Sequence, residues 1–189
     1  EDLDAEIEAA RVFVEKRVDG VIAAPASFTR TQHLDNIRAS GRPLVLLDRH
    51  VDSLDVDVVE VDITAAAHTA TRHLVENGHR RIAFLSSLEL HSTPYQRGDV
   101  LEVSSVAGRV DGITQALEEA GVDHPESFFR FGAQQGAKAR AITRELLTGE
   151  EQPTAIIASD SLIAMSVLAE LRDLKLRVPD DVSFVMFDD

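Results

Sequence analysis

Carboxylates and hydroxyls recur directly after strand-like runs in this chain. Pro25-Ala26-Ser27 follows Val21 to Ala24, Asp48-Arg49 follows Leu44 to Leu47, Ser86-Ser87 follows Ile82 to Leu85, Ser159-Asp160 follows Ala155 to Ala158, and Asp188-Asp189 follows Ser183 to Phe187. Open α/β sheets bind their ligands at the carboxyl ends of their strands. Carboxylates accept from hydroxyls, arginine donates a planar fork, and an aromatic ring can cover an apolar sugar face, so such a rim suits a small polyhydroxylated ligand. Each aspartate could instead cap a following helix. Asp160 directly precedes Leu162-Ile163-Ala164-Met165 and is expected to be such a cap, whereas no helix start follows Asp48 or Asp188, which points those two to the site.

Catalysis is the rival chemistry, and the motifs it needs are missing. No helix carries two histidines and a glutamate at metallopeptidase spacing, no Gly-x-Ser-x-Gly elbow occurs, and no glycine-rich phosphate loop follows a strand. His68 and His73 lie five apart on one helix and so face different ways. The Gly-x-Gly-x-x-Gly fingerprint is absent, which argues against a dinucleotide. The expectation is a binding protein rather than an enzyme, with no cofactor and no metal.

The elements that would position this rim alternate. Strand runs are expected at Val21 to Ala24, Leu44 to Leu47, Val56 to Val61, Ile82 to Leu85, Phe128 to Phe131, Ala155 to Ala158 and Ser183 to Phe187. Between most of them, three- and four-residue apolar spacing marks helices, as in Leu3, Ile7, Ala10, Val14 or Leu162, Met165, Leu168. Gly78, Gly121 and Gly149 fall just past three helical patterns, where a left-handed end favours glycine. The βαβα order predicts an α/β fold with parallel sheets flanked by helices. Two places break the rhythm. Leu44 to Leu47 and Val56 to Val61 leave no room for a crossover helix, which suggests that the chain changes sheets there; Ser86 to Ser105 is a long polar stretch before the helix expected to follow Arg109, of a length that usually carries function or motion.

Composition narrows the partners. The 189 residues are 44% hydrophobic and 28% charged, enough for one or two globular domains, and the net charge of -14 repels polyanions. These residues are therefore not expected to bind DNA by themselves. His79-Arg80-Arg81 is the one basic cluster and is expected to serve a helix end. Apolar runs are only strand-length, so no membrane partner is expected. The chain has no cysteine, which removes disulfides and leaves the compartment open.

Five segments together resemble the effector-binding core of lac-repressor/galactose-repressor type transcription regulators, a fold shared with periplasmic sugar-binding proteins. They are VDGVIAAPAS from Val18, GRPLVLLDR from Gly41, VEVDITAAAHTATRHLVENGHRRIAFLS from Val59, GRVDGITQALEEAG from Gly108, and PTAIIASDSLIAMSVLAELRDLKLRVPDDVSFVMFDD from Pro153. The resemblance implies two subdomains with a ligand cleft, divided here as 1–61, an incomplete N-terminal subdomain, and 62–189, the C-terminal one. The DNA-binding helix-turn-helix domain, a first strand and the returning C-terminal elements are expected to lie outside this chain. The resemblance further implies Asp48 and Arg109 as partners of ligand hydroxyls, Asp188 as an acceptor opposite them, Phe131 as the stacking ring, and Ser159 where the family usually has a ligand-binding asparagine. Ile63 and Met186 also replace residues frequent in the family. The implied partner is a sugar, sugar phosphate or nucleoside-like effector, with operator DNA bound by a cytoplasmic, homodimeric parent. An exported sugar-binding protein of a transporter is the alternative.

Overall fold

The computed structural model describes residues 2–90 and 94–188, which pack as two compact units, 1–62 with 100–107 and 63–99 with 108–189. Asp189, expected at the rim, lies outside the described residues.

The first unit holds β1 (Val21–Ala23), β2 (Leu44–Leu47) and β3 (Asp57–Val59) as a parallel sheet in that order, with α1 (Leu3–Lys16) and α2 (Gln32–Ala39). Asp2 caps α1, its carboxylate accepting from the amides of Asp4 and Ala5 at 3.0 and 3.1 Å. Val21, Leu44 and Leu46 meet Ala10 of α1 and Leu34 and Ile37 of α2 in one cluster. The register pairs Ile22 with Val45 and Leu47 with Val59, which puts these four on the other face. There Ile22, Leu47 and Val59 are 73%, 47% and 59% exposed. The expectation that the chain changes sheets between β2 and β3 is corrected: the two are parallel neighbours, joined by an irregular connection in which Val51 and Leu54 are buried and take the place of a crossover helix.

In the second unit β4 (Ile82–Leu85), β5 (Phe129–Arg130), β6 (Ala155–Ala158) and β7 (Ser183–Met186) form a parallel sheet ordered β5-β4-β6-β7, with α3 (Ile63–Glu76) before β4 and α5 (Ala137–Thr148) and α6 (Ser161–Asp173) leading into β6 and β7. Every residue of β4 and β6 is buried, as a central parallel strand covered on both faces requires. Ala83, Leu85, Ile156 and Ala158 pack on Leu146, Ile163, Val167 and Leu171 of α5 and α6. The last helix, α4 (Ser104–Glu119), lies so close to α3 that a Cβ on Gly112 would stand 2.3 Å from the carbonyl oxygen of Thr64 and 2.8 Å from the amide of His68. Only glycine allows that approach, and it fixes how α4 is rotated about its axis. Glu170, buried on α6, pairs with Arg140 at 2.9 Å and Arg144 at 2.5 Å, so the buried carboxylate is met by two arginines that remain partly in solvent.

Other boundaries shift for local reasons. The helix expected after Arg109 begins five residues earlier, at Ser104, and carries Arg109 within its second turn. Phe128 belongs to a 3-10 turn, Pro125–Phe128, which leaves β5 two residues long. Gly78 and Gly121 have the expected left-handed backbone, with φ of 93° and 73°; Gly149 does not, and ends α5 extended at φ -72° with its amide donating to the carbonyl of Glu145. Arg80 donates to the carbonyl of Val75 in the last turn of α3 at 2.9 Å, the helix-end service expected of the basic cluster, whereas Arg81 donates to the carbonyl of Gln152, in the loop before β6, at 2.7 Å. No helix among the described residues is long and apolar enough to cross a membrane.

Candidate functional site

The rim of the second unit is assembled at the carboxyl ends of its four strands. Each rim residue is set by the ladder beneath it: the amide of Ser86 donates to Arg130, that of Ser159 to Leu85 and that of Phe187 to Ala158, at 2.9 to 3.1 Å. Arg109 comes to the same end from α4, where the guanidinium carbon sits 4.8 Å from the centre of the Phe187 ring. A cation over an aromatic face is attracted by the ring quadrupole, by about 0.5–1 kcal/mol at an exposed site and more when desolvated. The contact also fixes where the planar donor fork points, one residue from Asp188.

Asp188 is exposed and has a left-handed backbone, φ 71°. Asp48 in the first unit repeats this arrangement: it follows β2, is exposed, has φ 65°, and its amide is held by the carbonyl of Val59 at 2.9 Å. Its carboxylate lies 3.7 Å from Nε of Arg49, a loose pairing in which the acceptor oxygens stay accessible to solvent. Arg49 uses its other end to hold the carbonyl of Pro25 at 2.8 Å. In both units, then, an aspartate stands beyond a parallel strand on a backbone that few residues other than glycine, asparagine and aspartate adopt.

The hydroxyls are less available than the sequence suggested. Ser27 is buried, and its Oγ accepts from the amides of Thr29 and Arg30 at 3.2 Å. Ser86 Oγ accepts from Leu88, and Ser159 Oγ donates to Asp160 at 3.0 Å. Asp160 also accepts from the amide of Ile163 at 2.9 Å, so it is the helix cap that its position predicted. The Pro25-Ala26-Ser27 segment is pinned as well: Glu6 accepts from the amide of Ala26 and meets Nε2 of the buried His33, both at 2.6 Å.

Phe131, one residue past β5, is half-buried in a four-ring cluster with Phe84, Phe129 and Tyr95. The sequence reading missed two members of this end of the molecule. Phe187 looked like the last residue of a strand rather than a seat for Arg109, and Tyr95 sat unremarked in the long polar stretch; that Tyr95 is the only tyrosine in the chain was the available signal. Hollows of about 460 and 420 Å³ lie elsewhere, around Gly121 to Glu126 and beside Arg80 and Arg81, at the amino ends of the strands. They lie at the end opposite the rim, and open α/β sheets place their ligands at the carboxyl ends of their strands.

Residues 71–189 match the family described as "Periplasmic binding protein-like domain". The chain belongs to that family. Over 187 residues it is 25% identical to the HTH-type transcriptional repressor PurR of Aliivibrio salmonicida, covering 99% of this chain and 53% of that one. It is 28% identical over 185 residues to catabolite control protein A of Priestia megaterium, covering 98% and 52%. The crystal structure of the transcription regulator CcpA of Lactococcus lactis superposes with a TM-score of 0.79 at 22% identity, over 100% of this chain and 64% of that one, which shows the common fold. The chain spans about half the length of the curated relatives it matches. The segments that resembled lac-repressor type regulators thus correspond to the ligand-binding core of that family.

Proposed function

We propose that this chain is the effector-sensing core of a lac-repressor type transcription regulator, which binds a sugar, sugar phosphate or nucleoside-like ligand at the carboxyl rim. Arg109 held over Phe187, one residue before Asp188, carries the reading: it offers a fixed donor fork beside an exposed acceptor, the pairing that a ligand with several hydroxyls can use. Asp48 is the first unit's acceptor, Phe131 the stacking ring, and Ser159 a short hydroxyl turned partly to Asp160. Residues 1–61 are read as part of an N-terminal subdomain and 62–189 as the C-terminal one.

The parent would be a cytoplasmic protein that binds operator DNA through a separate reading domain, since a net charge of -14 opposes DNA binding by these residues alone. An exported sugar-binding protein draws less support, because several of the matched relatives, PurR among them, are named as transcriptional repressors. Neither reading involves catalysis. Calorimetry with D-glucose, D-glucose 6-phosphate and inosine tests the assignment. Arg109→Ala should cost about 2–5 kcal/mol of binding, because it leaves ligand acceptors without a donor; wild-type affinity in that variant would remove Arg109 from the site.

A homodimer is the proposed assembly. Leu162, Met165 and Leu168 recur at three-residue spacing along α6 and are exposed, an apolar stripe suited to a second copy. In sedimentation, Met165→Lys should shift a dimer to monomer; a dimer that withstands the added charge places the interface elsewhere.

A further inference from the structure

The loop between β4 and α4 lays Tyr95 against the rings at the end of β5. Its ring centre is 5.0 Å from that of Phe131 at an interplanar angle of 40°, and 6.2 Å from that of Phe129 at 26°. Phe84 meets both phenylalanines edge-on, at 5.9 and 6.2 Å and 77°. Phe131 is therefore gripped from two sides, by Phe84 from the neighbouring strand and by Tyr95 from the loop. The loop itself is tied down next to Tyr95. Arg97 pairs with Glu118 of α4, and residues 96–99 close a turn in which the amide of Gln96 donates to the Asp99 carboxylate at 2.8 Å, with Gly98 at φ 97°.

β5 is two residues long and forms the edge of its sheet, so the ladder alone gives Phe131 little support. A ring at such an edge would turn among rotamers, and a ligand stacking on it would have to stop that motion. We infer that Tyr95 is a positioning residue for Phe131, and that its ring, brought by the loop after β4, holds Phe131 in the orientation on which a sugar-like ring stacks. The inference rests on the reading of Phe131 as the ligand's stacking partner. Burial, and then the negative charges of Asp111, Asp99 and Glu126, push the Tyr95 phenol above its ordinary value, against the smaller opposing pull of Arg97.

The chain has one tyrosine and no tryptophan, so tyrosinate absorbance reports Tyr95 alone. Without ligand, the wild-type midpoint should lie above the ordinary value of about 10, and Phe131→Ala should lower it by uncovering the phenol. An ordinary wild-type midpoint, or one that Phe131→Ala leaves in place, would overturn the contact. Calorimetry with D-glucose, D-glucose 6-phosphate and inosine then tests the positioning. Tyr95→Ala should weaken the bound probe by about two- to tenfold, the span of an aromatic pair, and Tyr95→Phe should restore wild-type affinity because the ring carries the effect. If Tyr95→Ala binds as wild type while Arg109→Ala does not, or if Tyr95→Phe is as weak as Tyr95→Ala, the positioning role is wrong and the ligand site stands. If no probe binds the wild type, or Arg109→Ala binds as well as it does, the ligand-site reading falls and takes the stacking role with it; the ligand-free titration still decides the contact between the two rings.

Discussion

β2 and β6 are both four-residue aliphatic strands in the interior of a parallel sheet, yet Leu47 is half-exposed while all of Ala155–Ala158 is sealed from water. The difference lies in what covers them. α1 and α2 pack on the same face of the first sheet, and Ile22, Leu47 and Val59 are left on the other; β4 and β6, the central strands of the second sheet, are buried on both. Parallel ladders depend on burial of both faces, so equal strand sequences should not have equal local stability.

Hydrogen exchange gives the largest expected contrast. In a monomeric sample the amides of β1, β2 and β3 should exchange orders of magnitude sooner than those of Ala155–Ala158, which should open only with the whole second unit. Similar protection in the two sheets would end the comparison. A pair of truncations sharpens it, since Leu46 and Ile157 are both fully buried. Each change to alanine should cost about 2–5 kcal/mol. Leu46→Ala should lower an early melting step and leave a later one in place, whereas Ile157→Ala should lower the later one; a single transition shifted equally by both would show that the units unfold as one.

The smallest effect concerns acid. The Arg177 side chain and amide both hold Asp181, just ahead of β7, at 2.8 to 2.9 Å, and lower its carboxyl to about 2. A folded value below the unfolded one near 3.9 means that stability is present above about pH 4 and is lost as pH falls towards 2. Arg177→Ala should raise the carboxyl midpoint read by NMR part of the way towards the ordinary range, since the backbone amide at 177 still donates, with little change in melting at neutral pH because the pair is exposed. A midpoint that stays near 2 would mean that the guanidinium is not the cause.

Much of this was legible in the residues. β2, β4 and β6 begin and end where their apolar runs do, because polar residues bound those runs tightly, and Asp160 capped the helix its neighbours foretold. The remainder depends on contacts distant in sequence. Phe128 was claimed by a proline-led turn rather than by its strand propensity. The β2 to β3 connection buries Val51 and Leu54 in place of a helix, which no periodicity marks. Asp48 and Asp188, each beyond a strand of its own unit, could be picked out as candidates by what does not follow them, but the seat of Arg109 on Phe187 joins residues 78 positions apart in the chain. The engagement of Ser27, Ser86 and Ser159 within their own loops was hidden for a simpler reason, since a hydroxyl's partner is a matter of geometry and not of type.

The left-handed backbones of Asp48 and Asp188 bear on how mutagenesis of these two strand ends is interpreted. An alanine at either position removes a carboxylate and also places a Cβ without a local polar partner in a conformation that costs about 1 kcal/mol or more. A binding defect in such a variant would then combine lost recognition with a displaced loop. Asparagine keeps the shape, tolerates the same backbone and deletes only the charge, while glycine relaxes the backbone and deletes the side chain. Asparagine and glycine scans, compared position by position, therefore separate what these two aspartates do for a ligand from what they do for their own turns.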